Sequence, residues 1–289
     1  MIAESELILR PDGSLYHLHL LPGQVSRDII TVGDPERVGE VSRRFDRIEL
    51  KVEAREFVTH TGELDGRRLT VISTGIGTDN VDIVINELDA LFNVDLKTRR
   101  VREELTSLNF LRLGTSGSFQ PDLALDSLLL ATAALGMDGL LPYYLRRDDS
   151  DGLVAAMERH LGERGLRLPG TALFAYPDLP DFINKAAVAQ GITLTAAGFY
   201  APQGRSVRLP SGLSSELLMA LREFEYNGLR ITNIEMETAG IYGLSTALGH
   251  RSASLSALLA NRALGTFSKR PAETVSKLID YGLLLMIDC

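Results

Sequence analysis

Short apolar runs alternate with stripes of apolar residues at helical spacing along most of the chain. Residues 29–32, Ile-Ile-Thr-Val, predict a buried strand that ends at Gly33-Asp34-Pro35. Asp34 suits a helix N-cap and Pro35 a first helical position, so a helix is expected to about residue 45. Residues 69–73 form a second apolar run, which ends in a Gly75-Ile76-Gly77 turn. Val81, Val84, Ile85, Leu88 and Leu91 then repeat at helical spacing. Residues 109–113 predict a strand and Gly114-Thr115-Ser116-Gly117-Ser118 a tight polar loop after it. Residues 128–132, 192–196, 231–234 and 253–260 are expected to be extended. Residues 153–161, 182–190, 215–226, 238–248 and 272–286 are expected to be helical. Residues 93–108 break the rhythm with Lys97, Arg99, Arg100, Arg102, Glu103 and Glu104, and are expected to form a charged, solvated insertion.

Strand and helix alternate without a change in composition, which predicts one α/β domain over residues 1–289 with a mixed sheet covered on both faces. Ligand sites in such sheets lie where strand ends open into loops. The hydrophobic content, 45%, supports a large core, and the net charge of −8 argues against nucleic acid or an anionic membrane as partner. An anion site would need a local basic cluster. The one cysteine, Cys289, excludes an intrachain disulfide and a cysteine metal set, which suits a cytoplasmic protein. No apolar signal segment opens the sequence, and the run 283–287 is too short to span a bilayer.

Five groupings could carry chemistry. In Glu235-Met236-Glu237, two acceptor-only carboxylates flank a thioether just before a helix. That set suits a polyol with one apolar face, such as a ribose, although acids near a helix start also simply favour the dipole. Gly33-Asp34-Pro35-Glu36-Arg37 offers backbone donors, a helix N-terminus and a guanidinium to an anion; its plain alternative is a capped helix with a surface arginine. Arg112-Leu113-Gly114-Thr115-Ser116-Gly117 places a charge in an apolar strand, where it needs either an anionic ligand or a core carboxylate. Arg55-Glu56-Phe57 reads as a charged strand start. Phe199-Tyr200-Ala201-Pro202-Gln203-Gly204-Arg205 combines a stacking ring, an amide and a guanidinium, as a planar imide would require. His17 and His19 stand at strand spacing without a carboxylate or cysteine cluster, so no metal is expected there. Gly75-Ile76-Gly77 lacks the third glycine of a dinucleotide fingerprint, and no nucleophile elbow or P-loop is present.

In this order the motifs resemble the nucleoside phosphorylase family, its uridine phosphorylase branch in particular. The likeness runs from about Tyr16 to Met286, and Ser73-Thr74-Gly75-Ile76-Gly77 and Asn261-Arg262 belong to it as well. It implies a partly barrel-like mixed sheet flanked by helices. It implies that Gly33, Arg37, Arg112 and Thr115 hold phosphate, with Arg55 reaching into a neighbouring subunit's site. Glu235, Met236 and Glu237 would hold the ribose, and His17 its 5′-hydroxyl across an interface. Phe199, Gln203 and Arg205 would read uracil, with Arg262 close by. Arg205, Gln203, Glu237 and Arg112 are the expected catalytic groups.

The likeness further implies a homo-oligomer, a dimer or a trimer of dimers, and an alkali ion such as K+ near Glu56, Ile76 and Asn80 at a dimer interface. No organic cofactor is implied, since phosphate is a co-substrate. The chain departs from the family at Asn80, where serine is usual, at Thr78-Asp79, at the 93–108 insertion, and at Gly204, where an acid is common. The acidic proton donor of the purine branch is missing near Asn261-Arg262. The expected reaction is reversible phosphorolysis of uridine, and of deoxyuridine or thymidine if the sugar and base sites admit them. The alternatives are a purine nucleoside phosphorylase, a nucleoside hydrolase, a non-catalytic nucleoside binder and a structural scaffold.

Overall fold

A computed structural model describes residues 1–144, 152–169 and 172–287; Cys289 lies outside them. The first half of the chain runs β1 (Asp28–Val32), α1 (Pro35–Ser42), β2 (Arg47–Ala54), β3 (Phe57–Leu64), β4 (Arg67–Ser73) and α2 (Thr78–Asn93). It continues through β5 (Val94–Asp95), β6 (Arg100–Val101), β7 (Asn109–Ser118) and β8 (Leu128–Gly136). The second half runs α3 (Leu153–Gly162), β9 (Leu173–Ala175), β10 (Ala189–Thr195), α4 (Ser215–Glu223), β11 (Glu225–Tyr226) and β12 (Leu229–Glu235). It ends with α5 (Thr238–Ala247), β13 (Arg251–Asn261), β14 (Thr266–Phe267) and α6 (Pro271–Ile287).

The sheet order is β11-β12-β10-β8-β13-β7-β1-β4-β3-β2, and β12 also pairs with β7. That last pairing, Asn233 with Ser118 and Ile234 with Gly117, closes β7, β13, β8, β10 and β12 into a five-stranded barrel. Strands β1, β4, β3 and β2 extend from β7 as an open wing. The mixed, partly barrel-like α/β sheet expected from the sequence is therefore observed.

Successive residues of the apolar runs enter opposite faces of the sheet, each of which is covered. Ile29, Ile72 and Phe110 pack towards α2 and α5, whereas Ile30, Val71 and Leu111 pack towards α1 and α6. A third cluster joins the barrel to α3 and α4 through Leu153, Leu194 and Leu221. Burial on both faces is why these strands lack polar alternation.

Several expectations fail locally. Residues 114–118 are not a loop but the second half of β7, paired along their length with β13. Residues 182–190 are not a helix: a short 3-10 turn, Asp181–Lys185, leads into β10, which is held between β8 and β12. The helix expected over 215–226 stops at Glu223, because Asn227 (φ 52°) and Gly228 (φ 76°) form a two-residue hairpin joining β11 to β12. Arg55 (φ 58°) does not open a strand; it sits in the turn between β2 and β3. The 93–108 insertion is a small hairpin that buries Val94, Leu96 and Leu108 and is only partly solvated. Edge strand β2 is exposed along much of its length; Ile48, Leu50 and Val52 alternate there with Glu49, Lys51 and Glu53, a period-two strand signal that went unused.

Candidate functional site

One cavity of about 940 Å³ opens at the carboxyl ends of β1, β7 and β12. Of the residues singled out in the sequence, Gly33, Arg37, Arg112, Thr115, Phe199, Gln203, Arg205, Glu235, Met236 and Glu237 line it.

Its centre is a buried charge cluster. Arg112 projects from β7 between Thr31 of β1 and Ser254 of β13, which share its register. Closure of the barrel brings the end of β12 against β7, so Arg112 Nη2 lies 2.9 Å from Glu235 Oε2 and 2.7 Å from Glu237 Oε2. Arg112, Glu235 and Glu237 are 6%, 4% and 6% exposed. Burial would lower the guanidinium pKa, but the two carboxylates outweigh it and hold Arg112 above its ordinary value. Burial raises Glu235 above the usual carboxylate range, and Glu237 adds to the rise while Arg112 opposes it. The charge in the apolar strand thus has core carboxylates as partners and also faces the cavity.

The two acids divide the work. Glu235 accepts the Thr195 hydroxyl (2.7 Å) and the backbone N–H groups of Glu237 (3.0 Å) and Thr238 (3.0 and 3.1 Å). Its oxygens are committed to the first turn of α5 and to Arg112. Glu237 accepts one N–H, from Gly77 at 2.8 Å, and the Arg112 contact. Its remaining lone pairs are the ones available to hydroxyls. Arg112 Nη1 faces the Ser254 and Ser256 hydroxyls at 3.5 and 3.4 Å. Those serines alternate with apolar residues in β13, a period-two signal that the sequence reading did not use.

At one end of the cavity, Asp34 caps α1 by accepting the Glu36 N–H at 2.9 Å. Arg37, one turn in, donates to the Leu113 carbonyl at 3.4 Å, and its Nε is buried without a partner. Burial lowers its pKa. Gly114 is required beside it: a Cβ there would collide with the guanidinium of Arg112, which lies across the backbone. Asp79 is exposed and does not line the cavity.

At the other end, Arg205 stacks on Phe199 at 3.9 Å and donates to the Phe199 carbonyl (2.6 Å) and to Gln203 Oε1 (2.5 Å). Gln203 is buried, and with Oε1 engaged its amide presents Nε2 as a donor. Gly204 has φ +73°, a conformation strained for any residue with a Cβ, and a Cβ would stand 2.5 Å from Leu218 Cδ1 and displace that side chain. Ile234, Leu259, Ala260 and Phe267 supply an apolar wall. Phe267, on β14, was missed because a single exposed aromatic after a turn carries no pattern.

Three expected residues stand apart. Arg262 does not line the cavity but packs behind it, against Gly117 and over the Phe119 ring. His17 and Arg55 gather around Tyr16 instead, with ring centroids of Tyr16 and His17 4.9 Å apart and Arg55 over the Tyr16 ring at 5.4 Å. His17 Nδ1 lies 2.6 Å from Glu87 Oε1.

The alkali-ion expectation concerns oxygen donors from Glu56, Ile76 and Asn80. Glu56, Ile76 and Asn80 are neighbours, but the Asn80 amide nitrogen donates to the Ile76 carbonyl at 3.5 Å. That contact leaves the second lone pair of the carbonyl oxygen free. Among the described residues, no group of three or more His, Cys, Asp or Glu side chains could hold a metal.

Comparison with known proteins places this geometry. The family model described as the phosphorylase superfamily matches residues 27–279. A uridine phosphorylase of Thermococcus kodakarensis is 30% identical over 272 residues, covering 89% of this chain and 81% of the relative. A uridine phosphorylase of Haemophilus influenzae is 25% identical, covering 86% of both chains. The crystal structure of a Trypanosoma brucei nucleoside phosphorylase, described as showing uridine phosphorylase activity, superposes with a TM-score of 0.84 at 25% identity. That superposition covers 98% of this chain and 100% of the other.

Proposed function

The chain belongs to the phosphorylase superfamily, and we propose that it catalyses reversible phosphorolysis of uridine to uracil and ribose 1-phosphate. The observation that carries this reading is the set of groups that share one cavity: Arg37 and Arg112, Glu237 in contact with Arg112, and the Gln203–Arg205 pair. The names of the similar uridine phosphorylases support it.

The reaction breaks a C–N bond to a poor leaving group while phosphate approaches the opposite face of the sugar. Arg37, with its unsatisfied buried Nε, and Arg112 gather phosphate with the donors around Gly33 and Thr115. Positioning a nucleophile in this way contributes on the order of 7–11 kcal/mol at best. Glu237 holds the 2′- and 3′-hydroxyls, beside Met236, and Glu235 keeps Arg112 and the start of α5 in place. As positive charge grows on the sugar, phosphate and Glu237 lie close to it. As negative charge grows on the base, Gln203 Nε2 and Arg205 meet it; one such preorganised donor is worth about 3–4 kcal/mol. Phosphate is a co-substrate, and the proposed reaction draws on no organic cofactor.

We assign the active form as a homo-oligomer, at least a dimer, on the placement of Arg55 and His17 outside their own chain's cavity. The partners are then small nucleosides and phosphate. Among the described residues, no helix is long and apolar enough to cross a membrane; the cytoplasm is the compartment we propose.

The test follows absorbance at the uracil band with uridine, and separately with inosine, each with and without phosphate. Loss with uridine only when phosphate is present is the expected result. Phosphate-independent loss would refute phosphorolysis, and loss with inosine alone would move the chain to the purine branch.

A further inference from the structure

The base end of the cavity holds more positive charge than a neutral uracil requires. Arg262 is within electrostatic reach of both Arg205 and Arg222, and no carboxylate among the described residues forms an ion pair with any of the three. Arg262 is fixed by packing against the backbone of Gly117, where a Cβ would come within 3.2 Å of its Cγ and Cδ, and by the Phe119 ring at 6.0 Å. Its Nη1 is buried without a hydrogen-bond partner, as is Nε of Arg222 in the last turn of α4. Gln120 Nε2 donates to the Arg222 carbonyl at 2.9 Å and to the Ile231 carbonyl at 2.6 Å. That pair of bonds ties the end of α4 to the segment carrying Phe119. Neighbouring Glu223 does not neutralise the group, because it pairs with Arg164 at 3.3 Å. Burial, and then the charges of Arg205 and Arg222, pull Arg262 down to about 10.

Three half-buried cations without an internal counter-charge are costly to hold together. They make chemical sense where a ligand supplies negative charge at the critical moment. We propose that Arg222 is a positioning residue of the base subsite that acts through Arg262, and that the three guanidiniums tune this site to bases that depart as oxygen-centred anions. The selectivity would then follow the acidity of the leaving base more than its size. The inference rests on the phosphorolysis reading. It adds a residue on α4 outside the cavity lining.

The experiment compares kcat/KM for 5-methyluridine, uridine and 5-fluorouridine, in order of increasing base acidity, in the wild type, Arg222→Gln and Arg222→Lys. A charge on the order of 10 Å from the base, at an effective dielectric of about 20, is worth about tenfold in rate. Arg222→Gln should lose about that much on uridine, clearly more on 5-methyluridine and clearly less on 5-fluorouridine. Steric effects of the 5-substituent cancel in the variant-to-wild-type ratio. Arg222→Lys, which keeps the charge, should retain the wild-type ranking. An equal loss on all three nucleosides in Arg222→Gln, or no loss, would overturn the proposal, as would Arg222→Lys behaving like Arg222→Gln. A wild-type protein that leaves uridine uncleaved in phosphate would instead overturn the reaction on which the proposal rests.

Discussion

Replacing Arg112 with methionine would keep much of its volume and remove the charge shared by two buried carboxylates. Glu235 and Glu237 both touch Nη2 of this one side chain, so the variant leaves them facing each other in a space that excludes most water. Two unit charges about 5 Å apart at an effective dielectric of about 20 repel by about 3 kcal/mol. Breaking a buried ion pair from one side costs about 3–5 kcal/mol by the same reasoning. With unfolding entropy of about 2.1 cal/mol/K per residue, a chain of 289 residues should lose about 5–8 °C in melting temperature.

The loss should depend on pH in a definite sense. Burial already holds Glu235 above its ordinary value of 4.5, and removing Arg112 raises it further. A raised folded-state pKa favours the folded form when the group is protonated. That contribution is present below the unfolded value and is lost as pH rises through the folded one. The deficit of Arg112→Met against the wild type should therefore be largest near pH 8 and shrink as pH falls towards about 5. Calorimetric melting of both proteins across that range measures it, and Arg112→Met/Glu237→Gln should recover much of the loss. A deficit of the same size at both ends, or none at all, would refute the idea that Arg112 balances the two acids.

Three other outcomes are expected. Gly114→Ala should push the Arg112 guanidinium out of place; since hydrogen bonds to charged groups contribute about 1.5–3 kcal/mol, KM for phosphate should rise about 10–100-fold in steady-state kinetics. An unchanged phosphate KM would remove Arg112 from the phosphate site. Arg205→Ala should lower kcat about 100–1,000-fold while phosphate binding, measured by calorimetry, stays the same; wild-type turnover would end its assignment to the leaving group. Burial holds His60 below its ordinary value of 6.5, where its Nδ1 lies 2.7 Å from the Ser42 hydroxyl. Its depressed value makes the neutral ring a stabilising feature above pH 6.5 that is lost as pH falls through the folded pKa, so His60→Met should melt with a shallower acid-side decline than the wild type.

Much of the site is legible in the chain because its parts are contiguous. A strand, a glycine, a capping aspartate, a proline and an arginine within Gly33–Arg37 make an anion cradle from local backbone geometry alone. The same holds for Phe199–Arg205, where Arg205 folds back on Phe199 six residues away. Residues 114–118 misled for a physical reason. Two glycines and two serines have weak strand propensity, yet the ladder to β13 holds them extended. The Asn227-Gly228 hairpin signal was legible but stands directly after a stripe that reads as helical to residue 226.

Periodicity, capping residues and short polar loops are properties of neighbours in sequence. They determined the α/β class, most of the strands and helices, and which loops bear arginine or paired acids. Tertiary structure alone decided the closure of β12 onto β7, and with it the meeting of Arg112 with Glu235 and with Glu237, which is 125 positions away in the chain. It also decided that Glu235 is consumed by α5 while Glu237 stays open, and that His17 and Arg55 gather at Tyr16. Each of these depends on distances between segments that no local pattern encodes.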